Sequence, residues 1–410
     1  MKTKILFATA TAAGILLAGQ AFADPNTLYL TQTGASNQAT VQQNAGSGGN
    51  DVGKAGVPAL QQGNGNRFSE IQETGGNFLG GDDDIVAMKQ LGNNNVFGSS
   101  YSNQLAGGDR INSVLQNGDL NWASIGRNGA SSATVGTFNQ TGDSNSAQVT
   151  QQSGSGNTVT LLQQIGSKNG GPFGPFGPQN PNGWGTSILQ SGNGNVVAES
   201  SIYGSNNNLN TTSAPASSVS QVGNYNGRTS SVARTRGSDG NFIHVTETGD
   251  WNNFSVLQGV NTSSTGNQAT VSQTGSYNGG YVTQYGDDNL VTVAQLGDGN
   301  TATANFTGNR NGNGSFSVLG ALHQPPLPLN ANLTQGTIYQ DSTGLGGNTV
   351  TYNVTGSDNL FAMAQIGGSN TITGKVTSGS NEVAVLQTGS SNVTNFVQQG
   401  GNANVISVSQ

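Results

Sequence analysis

Residues 273–305 read QTGSYNGGYVT, QYGDDNLVTVA and QLGDGNTATAN, three copies of one eleven-residue unit laid end to end. Within a copy, apolar residues and amides alternate. In Asn289-Leu-Val291-Thr-Val293-Ala-Gln295, the residues Asn289, Val291, Val293 and Gln295 fall on one face of an extended chain, because strand side chains have a period of two. The x-Gly-x-x segment between copies is a turn, where glycine takes a positive φ without steric cost. Each unit is therefore a strand of about seven residues, spanning about 23 Å, followed by a tight turn.

The unit recurs along the chain. Asn267, Asn278, Asn289, Asn300 and Asn311 are eleven residues apart, as are Asn348, Asn359, Asn370, Asn381 and Asn392. Between Gln140 and Asn169 the spacing is twelve, with Gln140, Asn145, Gln152 and Asn157 in the marked positions. Further copies begin at Gln32, Gln61, Gln90, Gln116, Gln190, Gln221 and Glu247. The consensus is Q-x-G-x-x-N-x-[A/V/F]-x-[V/I/L]-x-Q. A sustained short period of this kind marks a stacked repeat architecture.

The predicted fold is all-β: a β-solenoid or cross-β stack of strand–turn–strand arcs of about 22 residues, with Gly/Pro-rich loop insertions. Two sheets face each other, and like residues form rows along the stack. The predicted structural rows run through Gln140, Asn145, Gln152 and Asn157, then Asn267, Gln273, Asn278, Gln284, Asn289, Gln295 and Asn300. They continue through Asn348, Asn359, Gln365, Asn370, Asn381, Gln387 and Asn392. An inward amide without partners costs about 1–3 kcal/mol, whereas amides stacked at the strand spacing bond their neighbours as a ladder. One unit alone is not viable. Ordering eleven backbones costs on the order of 11–20 kcal/mol, against about 3–6 kcal/mol from two buried apolar side chains. Stacking supplies the rest.

Proline avoids the units. All 10 prolines lie outside them, as expected for a residue that deletes a ladder hydrogen bond. They mark insertions at about 44–59, 170–184, 210–218 and 320–333, joined by the Gly/Asp run 80–84. The expected organisation is a leader at 1–23, a repeat block at 24–169, an insertion at 170–184, a central block at 185–319, a Pro-rich insertion at 320–333 and a final block at 334–410. Asp119, Asp143, Asp239, Asp250, Asp287, Asp288, Asp298 and Asp358 occupy turn slots. Aspartate favours turns, and like charges there also oppose uncontrolled sheet stacking.

Composition supports this reading. The chain has 410 residues, 64 of them glycine, no cysteine, only 8% charged residues and a net charge of −7. Disorder normally comes with high net charge or abundant proline. The acidic balance, without basic clusters, excludes a phosphate-neutralising nucleic-acid surface. Lys2 and Lys4, the apolar run Ile5 to Ala18 and the Ala21-Phe22-Ala23 site have the form of an export signal, too short to span a membrane.

These residues resemble the curlin repeat of bacterial curli subunits. Gln32-Thr-Gly34-Ala-Ser-Asn37-Gln-Ala39, Gln140-Thr-Gly142-Asp-Ser-Asn145-Ser-Ala147 and Gln295-Leu-Gly297-Asp-Gly-Asn300-Thr-Ala302 carry the resemblance. It implies export to the surface of a Gram-negative cell and nucleated assembly into extracellular amyloid fibres that serve biofilm and adhesion. The implied partners are further copies of the chain, other curlin-type subunits or a nucleator, an outer-membrane secretion pore and its periplasmic helpers. Asp24 leads almost directly to Leu28 and the first unit, whereas the family usually places a Gly/Asn-rich segment there.

No catalytic, cofactor or metal site is expected. His244 and His323 are the only histidines, Gly374-Lys375 lacks the upstream glycine of a phosphate loop, and Asp82-Asp83-Asp84 is a short acidic loop. Phe68, Phe97, Phe254, Phe361 and Met363 occupy inward slots, while Tyr225, Trp251 and Tyr277 fall in exposed turn slots. Two rival functions are a soluble monomeric solenoid, acting as an adhesin or ice-binding protein, and a carbohydrate-active β-helix enzyme. The outward pairs Thr301/Thr303, Thr349/Thr351 and Thr371/Thr373 favour the first rival, although by spacing they do not recur on every coil. The second needs clustered carboxylates in a cleft, and the acids here fall in turns. The strand-like end Val405-Ile-Ser-Val408-Ser-Gln410, without charge or proline, favours assembly over a capped monomer.

Overall fold

The computed structural model describes residues 5–8, 15–18, 27–43, 51–52, 58–72, 78–79, 88–98, 103–104, 110–167, 169, 186–203, 218–236, 240–259, 264–314, 333–401 and 403–410. They fall into two compact units, Met1–Asn224 and Tyr225–Gln410. No described residue is helical. Both units are β-solenoids of parallel strands; from Arg110–Asn117 onward, strands consecutive in sequence alternate between two sheets.

In the second unit, one sheet holds Asn253–Gln258, Gly279–Tyr285, Thr301–Thr307, Thr349–Thr355, Thr371–Thr377 and Val393–Gln399 as neighbours. The other holds Gln268–Thr274, Leu290–Leu296, Thr337–Asp341, Leu360–Ile366, Glu382–Thr388 and Val405–Ser409. Two repeat units make one coil, and the register puts like on like, for example Val271 on Val293 and Val293 on Ile338. The inward residues are core. Val291, Val293, Phe254, Phe361 and Met363 are fully buried, as the alternation predicts. Leu360, Ala362, Ala364, Ala384 and Leu386 face outward by alternation but are buried as well. Apolar side chains at these positions suit a covered face.

The first unit repeats the plan, with Arg110–Asn117, Thr134–Thr141, Thr158–Ile165 and Val196–Tyr203 in one sheet. Trp122–Ser131, Ser146–Ser155, Thr186–Ser191 and Ser218–Val222 lie in the other. Here the twelfth residue of each repeat becomes visible. Ile111 pairs with Val135 and Ser113 with Thr137, while Val135 pairs with Val159 and Thr137 with Leu161. Asn112, Gly136 and Thr160 are skipped, so the extra residue is a β-bulge stacked at the same place on successive coils. A Cβ on Gly136 would strike the Thr160 carbonyl oxygen.

The residues read as a leader include two short strands. Ile5–Ala8 runs beside the strand Thr27–Thr33, and Ile15–Ala18 beside Gln38–Gln43. The insertions at 80–84 and 170–184, and most of those at 210–218 and 320–333, lie outside the described residues, as do all prolines but Pro58. Within 44–59 the chain forms the two-residue strand Asp51–Val52 against Thr27–Leu28.

One stretch of core departs from the repeat. Along the glutamine row of the first-named sheet, Gln284 is followed by Phe306, Val354 and Val376 before Gln398. Rings fill the space near this break. Phe361 lies 5.3 Å from Phe306 and 5.2 Å from Tyr352, and Phe396 lies 6.2 Å from Tyr352. Gly374 separates Tyr352 from Phe396 in the register, and a Cβ there would press into the Phe396 ring. The Tyr352 hydroxyl is buried with no hydrogen-bond partner, and burial pushes its pKa far above the ordinary tyrosine value. An orphaned buried hydroxyl costs about 1–3 kcal/mol. Tyr352→Phe is therefore expected to stabilise the unit by about 1–2 kcal/mol, read as a higher urea midpoint. A lower midpoint would show that the hydroxyl has a partner.

Candidate functional site: the amide ladders and turn columns

The turns set the geometry. At most turns the strand is followed by a glycine of positive φ, as at Gly275 (φ 117), Gly286 (φ 105) and Gly367 (φ 109). The residue just before asparagine is also left-handed, as at Tyr277 (φ 61), Asp288 (φ 54) and Ser380 (φ 57). That second positive φ was not read from the sequence. Its signal is the excess of Gly, Asp, Asn and Ser in that slot, residues that tolerate the left-handed region.

Asparagine then clamps one coil to the next. Asn289 is representative: its Nδ2 donates to the Gly308 carbonyl at 2.8 Å and to Asn267 Oδ1 at 3.0 Å. Its Oδ1 accepts the Asn311 backbone N–H at 3.0 Å and Asn311 Nδ2 at 3.0 Å. Every polar atom of this buried amide is satisfied. The column runs Asn241, Asn267, Asn289, Asn311, Asn359, Asn381 and Asn404. At the other edge, Asn226, Asn252, Asn278, Asn300, Asn348, Asn370 and Asn392 form a second column. In the first unit, Asn145 sits between Asn121 and Asn169, and Asn157 bonds Asn195. The asparagine rows thus combine bonds from amide to amide with a clamp from amide to turn backbone, and the second was not anticipated from sequence.

Glutamine forms the amide-to-amide chain. In the second-named sheet, Nε2 of Gln273, Gln295, Gln340, Gln365 and Gln387 each donates to Oε1 of the next member, ending on Gln410, at 2.8–3.0 Å. The other N–H crosses the core. Gln295 donates to the Gly279 carbonyl at 3.0 Å and Gln365 to the Thr349 carbonyl at 3.1 Å, so each amide ties the two sheets together. Gln284 receives from Gln258, and Gln140 lies between Gln116 and Gln164. At the bulged strand Ser146–Ser155, the ladder position predicted for Gln152 is held by Gln151, which donates to Gln190 at 3.0 Å. Alternation runs unbroken from Asn145 through Ala147 and Val149 to Gln151, and the residue skipped in the pairing comes after the glutamine, at 153. Glu247 takes a glutamine position beside Gln273 and is fully buried.

The turn acids are part of the same system. Asp298 Oδ1 accepts the Ser276 N–H at 2.7 Å, Asp143 that of Asp119 at 2.8 Å, and Asp287 that of Thr265 at 2.8 Å. These carboxylates supply acceptors between coils as well as charge. The turn aromatics form a column. Trp251 stacks 4.9 Å from Tyr225 and 6.2 Å from Tyr277, and the Arg228 guanidinium lies over the first two rings. Spaced 26 residues apart, they read as scattered in sequence and become neighbours only through the coil. His244 is partly buried, and desolvation lowers its pKa. No group of three or more metal-ligating side chains occurs among the described residues.

Parallel strands in two facing sheets, clamped by inward asparagine and glutamine ladders, define an amide-laddered β-solenoid. Residues 265–297, which contain the three strands Gln268–Thr274, Gly279–Tyr285 and Leu290–Leu296, match the family described as the curlin associated repeat. No curated protein matches the chain.

Proposed function

We propose that the chain is a structural subunit of extracellular curli-like fibres, which grow by adding the strands of an incoming chain to an open coil. The observation that carries this reading is the polarity of the glutamine ladder. Every link from Gln273 to Gln410 runs from Nε2 of one coil to Oε1 of the next. Each of these coils therefore presents a donor on one side and an acceptor on the other, and coils that carry the glutamine are complementary head to tail. Gln398 illustrates the unmet demand: it is buried, and neither amide atom has a partner. Unpaired strand edges are a template for further pairing.

Export follows removal of residues 1–23, through an outer-membrane pore with periplasmic helpers. The fibre serves biofilm matrix and adhesion, with copies of the chain and other curlin-type subunits or a nucleator as partners. The test is a thioflavin-T time course on residues 24–410 at micromolar concentration, followed by fibre diffraction. A lag, growth shortened by seeds, and reflections near 4.8 and 10 Å are expected. A chain that keeps a stable β signal as a monomer for days would overturn the fibre reading.

A further inference from the structure

The threonine pairs that looked sparse in sequence meet on the outer face of one sheet. Thr301 pairs with Thr349 and Thr349 with Thr371; Thr303 pairs with Thr351 and Thr351 with Thr373. The intervening Ala302, Val350 and Ile372 are fully buried, so the threonines point away from the core, and none of the six is buried. Strands lie about 4.8 Å apart and alternate residues about 6.6 Å apart. The six side chains therefore stand on a regular two-dimensional grid over three successive coils. Along the same strands, Thr307, Thr355 and Thr377 form a further column in register.

Three properties narrow what such a face fits. The side chains are β-branched and stiff at χ1, on a backbone clamped by the asparagine columns, so the grid is preorganised. The six hydroxyls have no protein partner among the described residues, whereas the neighbouring Asn305 bonds Asn353 at 2.8 Å. Finally, each grid point pairs a methyl with a hydroxyl, and the grid itself holds neither a ring nor a charge. Aromatic-free, uncharged positions do not favour sugar stacking or ionic partners. A rigid grid of free hydroxyls and methyls suits a neutral, hydrogen-bonding solid that repeats at molecular spacing in two directions. We infer that the face formed by Thr301, Thr303, Thr349, Thr351, Thr371 and Thr373 binds the surface of ice. This does not depend on assembly, since one chain carries the whole grid. Fibres would multiply it along their length.

The test is partition into slowly growing ice, using freshly purified monomeric full chain with a non-binding globular protein as internal control. Several-fold enrichment of the chain over the control is expected. Thr351→Tyr with Thr373→Tyr should reduce enrichment to the control level, while Thr292→Tyr on the opposite sheet should leave it unchanged. Circular dichroism checks that each variant is folded. Should the double variant unfold, Thr351→Val, which keeps the branched shape and removes the hydroxyl, is expected to lower enrichment. Exclusion of the wild-type chain to the same degree as the control would overturn the inference. So would full enrichment of the folded double variant, or binding to crystalline cellulose in place of ice. Loss of fibre growth with ice enrichment intact would overturn the fibre reading alone.

Discussion

Val293→Pro is expected to disrupt its coil and to slow fibre growth far more than Gly177→Pro. Val293 is fully buried and pairs with Val271 on one side and Ile338 on the other. Proline removes a ladder hydrogen bond, its ring clashes with the neighbouring backbone, and such a substitution costs about 3 kcal/mol or more. Gly177 belongs to the Pro-rich stretch 170–184, outside the described residues. Urea midpoints and thioflavin-T growth rates of the two variants decide the matter. Equal effects at the two positions would remove the strand assignment on which the ladders depend.

Gly367→Ala is expected to be comparably severe through a different cause. Gly367 has φ 109, and a Cβ there would overlap the carbonyl oxygen of Gly389 on the next coil. That oxygen accepts Asn370 Nδ2 at 2.8 Å, so the substitution both strains the backbone and breaks a clamp. Strain of this kind costs about 1–3 kcal/mol and a lost buried hydrogen bond about 1–3 kcal/mol more. Gly400→Ala is the control: its φ is 68, with no heavy atom within 4 Å of an added Cβ. It should cost about 1–2 kcal/mol. Similar midpoints for the two variants would mean that coil-to-coil contact does not constrain the turn.

The alternation in Asn289–Gln295 and the eleven-residue spacing made the strands, their inward faces and the two-sheet coil legible in sequence. What escaped was whatever depends on the neighbouring coil. The bulge at Gly136 and Thr160 is invisible in a spacing of twelve, because the extra residue could sit in the strand or in the turn. The glutamine bond to the opposite sheet, as from Gln295 to Gly279, needs the facing backbone in view. The threonine grid was hidden by the residues inserted before Thr337. Thr301 and Thr349 are separated by 48 positions, yet their coils are clamped directly by Asn300 and Asn348. The aromatic column Tyr225–Trp251–Tyr277 was obscured for the same reason, since one turn of the coil separates each ring from the next.

Alternation of strands between the two sheets restricts how a gene for such a chain can change length. Losing one repeat unit would transfer every later strand to the opposite sheet and carry the threonine grid to the other side of the molecule. Losing two would shorten the stack by one coil and leave each remaining face where it was. Duplications and deletions that preserve the surface must therefore come in pairs of units, so the smallest heritable step is a whole coil.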